Sequence, residues 1–108
     1  MIRIAGAVCS ISLLLAAAGG PSPATRPTGS IAIRNFVFEP TTDTVRVGQS
    51  VTFRNHDLVP HTATADNRKF DSASIAADST WRFTARQKGV FTYHCSFHPT
   101  MRGTLVVR

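Results

Sequence analysis

Cysteine is scarce in this chain of 108 residues, which contains only two. Cys9 lies in the apolar N-terminal segment, and Cys95 lies close to the C-terminus. If the N-terminal segment is removed, Cys95 has no partner in the chain, which excludes a scaffold held by internal disulfide bonds. A free thiol in an exported protein is open to oxidation, and binding to a metal ion would protect it. The lone Cys95 therefore indicates a metal site.

Acidic residues are also few, and the basic residues form no dense cluster. Six Asp and Glu residues stand against twelve Lys and Arg, which gives a formal net charge of +6. The basic residues are scattered, without the clusters or the interleaved aromatic residues that are typical of nucleic-acid binding. We therefore expect no nucleic-acid partner. The charge indicates either an ordinary soluble surface or electrostatic steering towards an acidic partner or an anionic envelope surface.

The one long apolar run lies at the N-terminus and is short for a membrane span. Residues 1–18 combine a basic start, an apolar run and small residues from Ala16 to Ala18 that would suit cleavage. This pattern is typical of a secretory signal peptide, the alternative being an uncleaved anchor. Residues 19–29, rich in Pro, Gly, Ser and Thr, predict a flexible tether, and residues 30–108 predict one domain that does not span a membrane. We expect the protein in the periplasm or another extracytoplasmic space.

Helical periodicity is absent from the predicted domain, where apolar and polar residues alternate instead. The first alternating run slips at Arg34 and Asn35, which predicts a β-bulge within one strand. The segment 66–78 is polar and irregular, with Phe70 and Ile75 as expected anchors. The other alternating runs lie at 44–47, 50–55, 62–65, 79–84, 90–93 and 103–107. About seven to eight short strands without a helix predict an all-β protein, an antiparallel β-sandwich.

The residues most suited to chemistry lie in one short stretch between two predicted strands. Cys95, His98 and Met101 offer a thiolate, an imidazole and a thioether within seven residues. These soft and borderline ligands suit copper in either oxidation state. So short a loop rarely completes a site alone, and His61, which follows the rigid Pro60, is the expected fourth ligand. The pattern predicts a single metal ion bound by these four side chains.

The remaining histidines and the zinc alternative are less favoured. His56 lies early in its loop and is predicted to be solvated. His94 precedes Cys95 in a strand, so the two side chains should point to opposite faces. A structural zinc site could use the same Cys and His ligands, but a thioether at the position of Met101 argues against zinc. A binuclear copper centre is excluded, because it requires a second cysteine near Cys95.

Taken together, these residues resemble those of the cupredoxins, the small blue copper proteins. The resemblance extends from about Ile31 to Arg108. The two-residue gaps on either side of His98 are most similar to those of amicyanins, since plastocyanins usually have a longer gap before the methionine. The resemblance rests on Asn55, on Pro60-His61 and on the motif Tyr93-His94-Cys95-x-x-His98-Pro99-x-Met101-x-Gly103.

The resemblance implies a Greek-key β-sandwich with one type 1 copper ion, Cu(I) or Cu(II), at one end. His61, Cys95 and His98 would form a trigonal plane, and Met101 would be a weak axial ligand. Asn55 would tie the two ligand loops together by hydrogen bonds.

Thr62 departs from the family pattern. The residue after the first histidine is commonly asparagine in relatives. The backbone amide of Thr62 could still donate to the Cys95 sulfur, while bracing by its side chain is left open. We expect a functional site with an altered reduction potential.

The resemblance also implies a function, that of an exported one-electron carrier between redox partner proteins, and not an enzyme. Four protein ligands leave no open position for a substrate. His98 would be partly exposed, and electrons would cross through its ring. We expect a monomer, and the sequence does not reveal its electron donor or acceptor. The expected docking surface is an apolar collar formed by Leu58, Val59, Pro60, Phe97 and Pro99.

Two other functions compete with electron transfer. Copper delivery or buffering requires the same fold and ligands but no electron-transfer partner. A multicopper oxidase or a copper nitrite reductase would require linked domains with additional histidine ligands. One domain with two spare histidines cannot supply them.

Overall fold

The structure, a computed structural model, describes residue 6 and residues 29–108. Apart from Gly6 and Gly29, the predicted signal peptide and tether lie outside the described residues. Between residues 29 and 108 no helix occurs that is long and apolar enough to cross a lipid bilayer. The strands are β1 Gly29–Arg34, β2 Val37–Glu39, β3 Thr42–Val45, β4 Ser50–Asn55, β5 Thr64–Ala65, β6 Thr80–Thr84, β7 Gly89–His94 and β8 Arg102–Val107.

The eight strands form two four-stranded sheets that enclose one apolar core. One sheet has the order β2-β1-β4-β6 and the other has the order β3-β8-β7-β5. The chain alternates between the sheets from β2 to β7. The prediction of an all-β sandwich with seven to eight strands is confirmed. Within residues 29–108 four strand pairs are antiparallel, while β1 with β4 and β3 with β8 are parallel, a feature that alternation alone cannot indicate.

The predicted bulge at Arg34 and Asn35 is wrong, because the chain makes a tight hairpin there. β1 pairs antiparallel with β2, and Arg34 lies opposite Val37, so Asn35 and Phe36 alone form the turn. Their φ angles are 53° and 60°, both in the left-handed region. Two-residue turns of this hand match the twist of β-hairpins, but they favour glycine at the second position. A bulky residue such as phenylalanine rarely adopts a positive φ angle, so Phe36 is an outlier at that position.

The irregular segment at 66–78 packs on the sandwich through the two predicted anchors. Phe70 and Ile75 are both buried, as expected. Ile75 also forms an isolated β-bridge with His61, in which each backbone amide donates to the carbonyl of the other residue. The segment thus supports the loop that carries a predicted ligand.

Tyr93 lies at the centre of the core, directly before the ligand stretch. Its ring is fully buried and makes edge-on contacts with Phe38 and Phe53, at centroid distances of 4.8 and 5.4 Å. Gly103 lies opposite it in β8, and a Cβ atom there would collide with Cζ and Oη of Tyr93. The glycine of the predicted motif therefore has a packing role, which allows β8 to pass close to the tyrosine ring.

Replacing Gly103 by alanine tests this close approach. Because the core around Tyr93 is full, Gly103→Ala should lower the free energy of unfolding of the copper-free protein by about 1–3 kcal/mol, the usual cost of overpacking. Urea denaturation at an unchanged m value would measure the loss. Thr104→Ser, at the next position of the same strand, is the control and should have little effect. Equal midpoints for Gly103→Ala and the wild type would contradict the packing role.

Candidate metal centre

Two loops bring the predicted ligands together at one end of the sandwich. The loop after β4 carries His61, and the loop between β7 and β8 carries Cys95, His98 and Met101. Nδ1 of His61 and Nδ1 of His98 each lie 3.7 Å from Cys95 Sγ. The ligand atoms of His61, Cys95 and His98 all lie within 4.8 Å of one another. In the second loop the Cys95 amide donates to the Met101 carbonyl at 3.1 Å, and the Met101 amide donates to the His98 carbonyl at 2.9 Å. These bonds hold Met101 beside the other ligands.

The ligands differ in their exposure to solvent. His61, Cys95 and Met101 are buried, whereas His98 is half-buried. His98 is therefore the ligand through which the site meets the surface. The other two histidines do not join the group: His56 is exposed, and His94 forms a hydrogen bond with Asp66 through its Nδ1 atom.

Asn55, the last residue of β4, organises the first ligand loop from inside. Its Nδ2 group donates to the carbonyls of Val59 at 2.8 Å and Ile75 at 3.0 Å, and its Oδ1 atom accepts from the Asp57 amide at 2.9 Å. All these partners lie between residues 57 and 75, so the expected tie between the two ligand loops is not made by Asn55. It fixes the His61 loop against the 66–78 segment instead.

Thr62 makes the connection between the two ligand loops. Its backbone amide donates to Cys95 Sγ at 3.3 Å, as the resemblance implied. Its Oγ1 atom accepts from the Ser96 amide at 2.7 Å and lies 3.0 Å from Thr64 Oγ1. The question of side-chain bracing, which the sequence left open, is thereby answered, because the threonine hydroxyl braces the backbone next to Cys95.

Asp57 holds the far side of the His61 ring, a role that the sequence analysis missed. Its Oδ2 atom lies 2.8 Å from His61 Nε2. An ionised carboxylate can only accept, so Nε2 carries the proton and the lone pair of Nδ1 is directed towards Cys95. Asp57 also accepts the backbone amides of Asn35 at 2.7 Å and Phe36 at 2.9 Å. Partial burial raises the pKa of Asp57, but the hydrogen bonds from Phe36, Asn35 and His61 outweigh it and hold that pKa below its usual value.

Phe36, also missed, packs against both histidine ligands from the β1–β2 turn. Its ring lies edge-on to His61 and His98, at centroid distances of 5.0 and 4.9 Å. The slip at Arg34 and Asn35 was the available signal, but it indicated a bulge and not a turn that reaches the site. The residues of the expected collar are all exposed, and their part in docking stays a prediction: Leu58, Val59, Pro60, Phe97 and Pro99.

Comparison with known proteins identifies the family. A profile of the cupredoxin-like domain matches residues 6–107. The chain belongs to the cupredoxin family. Amicyanin from Paracoccus denitrificans is a curated relative of this cupredoxin, 31% identical over 68 residues, in a match that covers 58% of the chain. The chain spans about half of the length of that amicyanin (52%).

Solved structures show the same relationship. A Cu(I) form of an amicyanin variant has a TM-score of 0.69 and 27% identity, with 75% of this cupredoxin and 82% of the amicyanin chain covered. A purple cupredoxin from Nitrosopumilus maritimus has a TM-score of 0.69 and 28% identity, with 74% of this chain and 99% of the other covered.

Copper is the metal that this cupredoxin site fits. Two imidazole nitrogens that face a buried thiol, with a methionine in the same short loop, form the donor set of a type 1 copper site. The residues that would hold the ion are His61, Cys95, His98 and Met101. A tetrahedral structural zinc site would not use the thioether of Met101 as a ligand.

Substitutions of Thr62 test the brace between the loops. Thr62→Val keeps the side-chain shape but leaves the Ser96 amide without its acceptor, which should lower the free energy of unfolding of the copper-free protein by about 1–3 kcal/mol. Thr62→Ser keeps the hydroxyl and should retain most of that stability. Chemical denaturation of the three proteins measures the difference, and equal losses in both variants would contradict the brace.

The altered reduction potential stays a prediction, and an unchanged potential in Thr62→Asn would refute it.

Proposed function

We propose that this cupredoxin is an exported protein with one type 1 copper ion that carries single electrons between redox partners. The observation that carries the proposal is a ligand group with three buried members and one half-buried histidine, His98. The exposed residues of the expected collar would form an apolar rim around it. Export rests on the signal peptide predicted at residues 1–18. The assignment as a carrier, and not an enzyme, rests on four protein ligands that leave no position for a substrate.

The residues around the site support rapid electron exchange because they keep the ligands in place. When bound, copper would supply a one-electron change between Cu(I) and Cu(II). Thr62 fixes the Cys95 sulfur and Asp57 fixes the His61 ring, each by a hydrogen bond that does not depend on the metal. Ligands that are held in this way need little rearrangement when the charge at the site changes, which favours a carrier.

The apolar rim supports docking of a partner protein through His98. Leu58 is 95% exposed and Phe97 is 52% exposed, and large apolar side chains that are exposed together in one patch mark interaction sites. Phe36, 48% exposed, extends this rim beyond the expected collar. The formal charge is +6, or +5 once Arg3 is lost with the signal peptide. This positive charge would steer the molecule towards an acidic partner, and salt would slow that encounter.

Copper delivery or buffering is the competing function. It would use the same ligands but requires release of the ion to an acceptor. Burial of His61, Cys95 and Met101 argues against release, because an acceptor can approach only the His98 side of the site.

The first experiment tests the thiolate–copper site itself. Addition of Cu(II) to the purified domain should produce an intense visible absorption band, because a thiolate bound to Cu(II) gives strong charge transfer. Cys95→Ser should lose that band completely. His56→Gln, which changes a histidine outside the ligand group, is the control and should keep it. A wild-type domain without the band would contradict the proposed site.

Electron transfer through the rim can be tested without a known partner. Exchange between the Cu(I) and Cu(II) forms of the protein requires two copies to meet at the exposed histidine, and NMR line broadening measures its rate. Leu58→Asp should slow this exchange by about tenfold or more, since it places a charge in the contact. Val90→Asp, at an exposed apolar position on β7 that is 67% exposed, changes the net charge equally and should have a much smaller effect. Equal rates in the two variants would contradict docking through the rim.

A further inference from the structure

We propose that Asp57 is a positioning residue that holds the ring of Phe36 as an aromatic lid over both histidine ligands, and that this lid limits the access of water to the metal. The inference rests on copper binding at this site. It does not depend on whether the protein carries electrons.

The first observation is that one carboxylate accepts three hydrogen bonds from two parts of the chain. His61 Nε2 and the Phe36 amide share Oδ2, and the Asn35 amide contacts Oδ1. The Asp57 side chain is 11% exposed, and the His61 side chain is completely buried. Asp57 is itself fixed, since its own amide donates to Asn55 Oδ1. The carboxylate thus joins the ring of a ligand to the β1–β2 turn, which lies 21 residues before Asp57 in the sequence.

The second observation is the conformation of the turn. Phe36 has a φ angle of 60°, although a residue with a Cβ atom disfavours the left-handed region and glycine would fit there without strain. Strained residues persist where the surrounding structure holds them, and they concentrate at functional sites. Here the backbone amides of Asn35 and Phe36 both donate to Asp57, so the carboxylate stabilises the strained turn.

The third observation is where the strained turn places the ring. Phe36 is edge-on to His61 at 85° and to His98 at 90°, and the two histidine rings lie 5.0 Å apart. The three rings therefore contact one another in a triangle beside Cys95. Phe36 remains 48% exposed, so one side of its ring covers the ligands and the other faces solvent. A side chain in that position shields the histidine nitrogens from water.

An asparagine in place of Asp57 cannot reproduce this arrangement. The amide has one oxygen and one NH₂ group, so at least one of the three N–H donors would face another donor. Because Oδ1 and Oδ2 each accept one amide of the turn, Asp57→Asn should leave at least one of those two amides without an acceptor. Phe36→Gly separates the two roles, because it removes the ring but keeps a backbone that glycine favours.

Two measurements on these variants test the proposal. In the copper-free protein, hydrogen exchange reports whether the amides of Asn35 and Phe36 are still bonded. In the Cu(II) protein, the relaxation of water protons reports how closely water approaches the metal. Glu39→Gln is the control, since it removes one negative charge from an exposed position of the same hairpin.

Asp57→Asn should accelerate exchange of at least one of the two amides by about tenfold or more and should increase water relaxation. Phe36→Gly should increase water relaxation to a similar extent while residues 35 and 36 keep their amide protection. Glu39→Gln should change neither quantity. Unchanged protection in Asp57→Asn would overturn the role of Asp57, and unchanged relaxation in Phe36→Gly would overturn the lid.

If Asp57→Asn fails to fold, Phe36→Gly alone decides. Retained amide protection with raised water relaxation supports a lid formed by the ring on a turn that does not depend on the ring. Lost protection in this variant would show that the ring, and not Asp57, holds the turn, and would overturn the proposal. Failure of the electron-carrier function would leave both measurements unaffected.

Discussion

The arrangement at this end of the molecule depends on the burial of the Cys95 thiol among polar groups that all face it. Two imidazole nitrogens and the Thr62 amide converge on one sulfur atom that has no exposure to solvent. A polar group without a hydrogen-bond partner is costly to bury, so each of these groups needs a partner at the site. The fold brings the partners together, because β4 and β7 belong to different sheets and both end at this site.

The surrounding hydrogen bonds explain how such a site can exist before a metal ion arrives. Asn55 fixes the first loop from inside, Thr62 joins it to the loop of Cys95, and Asp57 sets the proton on the His61 ring. Each brace satisfies a buried backbone or side-chain group that would otherwise be unpaired. Stability and function therefore use the same bonds, and a change in one brace is expected to affect both the folding of the loop and the properties of the bound copper.

The ligands were predictable from sequence because their spacing is local and chemically restrictive. Cys95, His98 and Met101 lie in one short loop, and alternating residues on either side of it indicated the two strands. The hairpin was not predictable, because Phe36 occupies a turn position at which glycine is the usual residue. The role of Asp57 was hidden for a different reason, since its contacts with the turn span more than 20 residues and exist only once β1 and β4 have paired.

The most direct test of a rigid copper site formed by His61, Cys95, His98 and Met101 is copper K-edge X-ray absorption on the loaded protein in both oxidation states. The Cu(II) form should show one short copper–sulfur and two copper–nitrogen distances, and the Cu(I) form should show the same set with only small changes. A spectrum without a sulfur neighbour would contradict the assignment of Cys95. A change in the number of close ligands on reduction would contradict a site held rigid by its own hydrogen bonds.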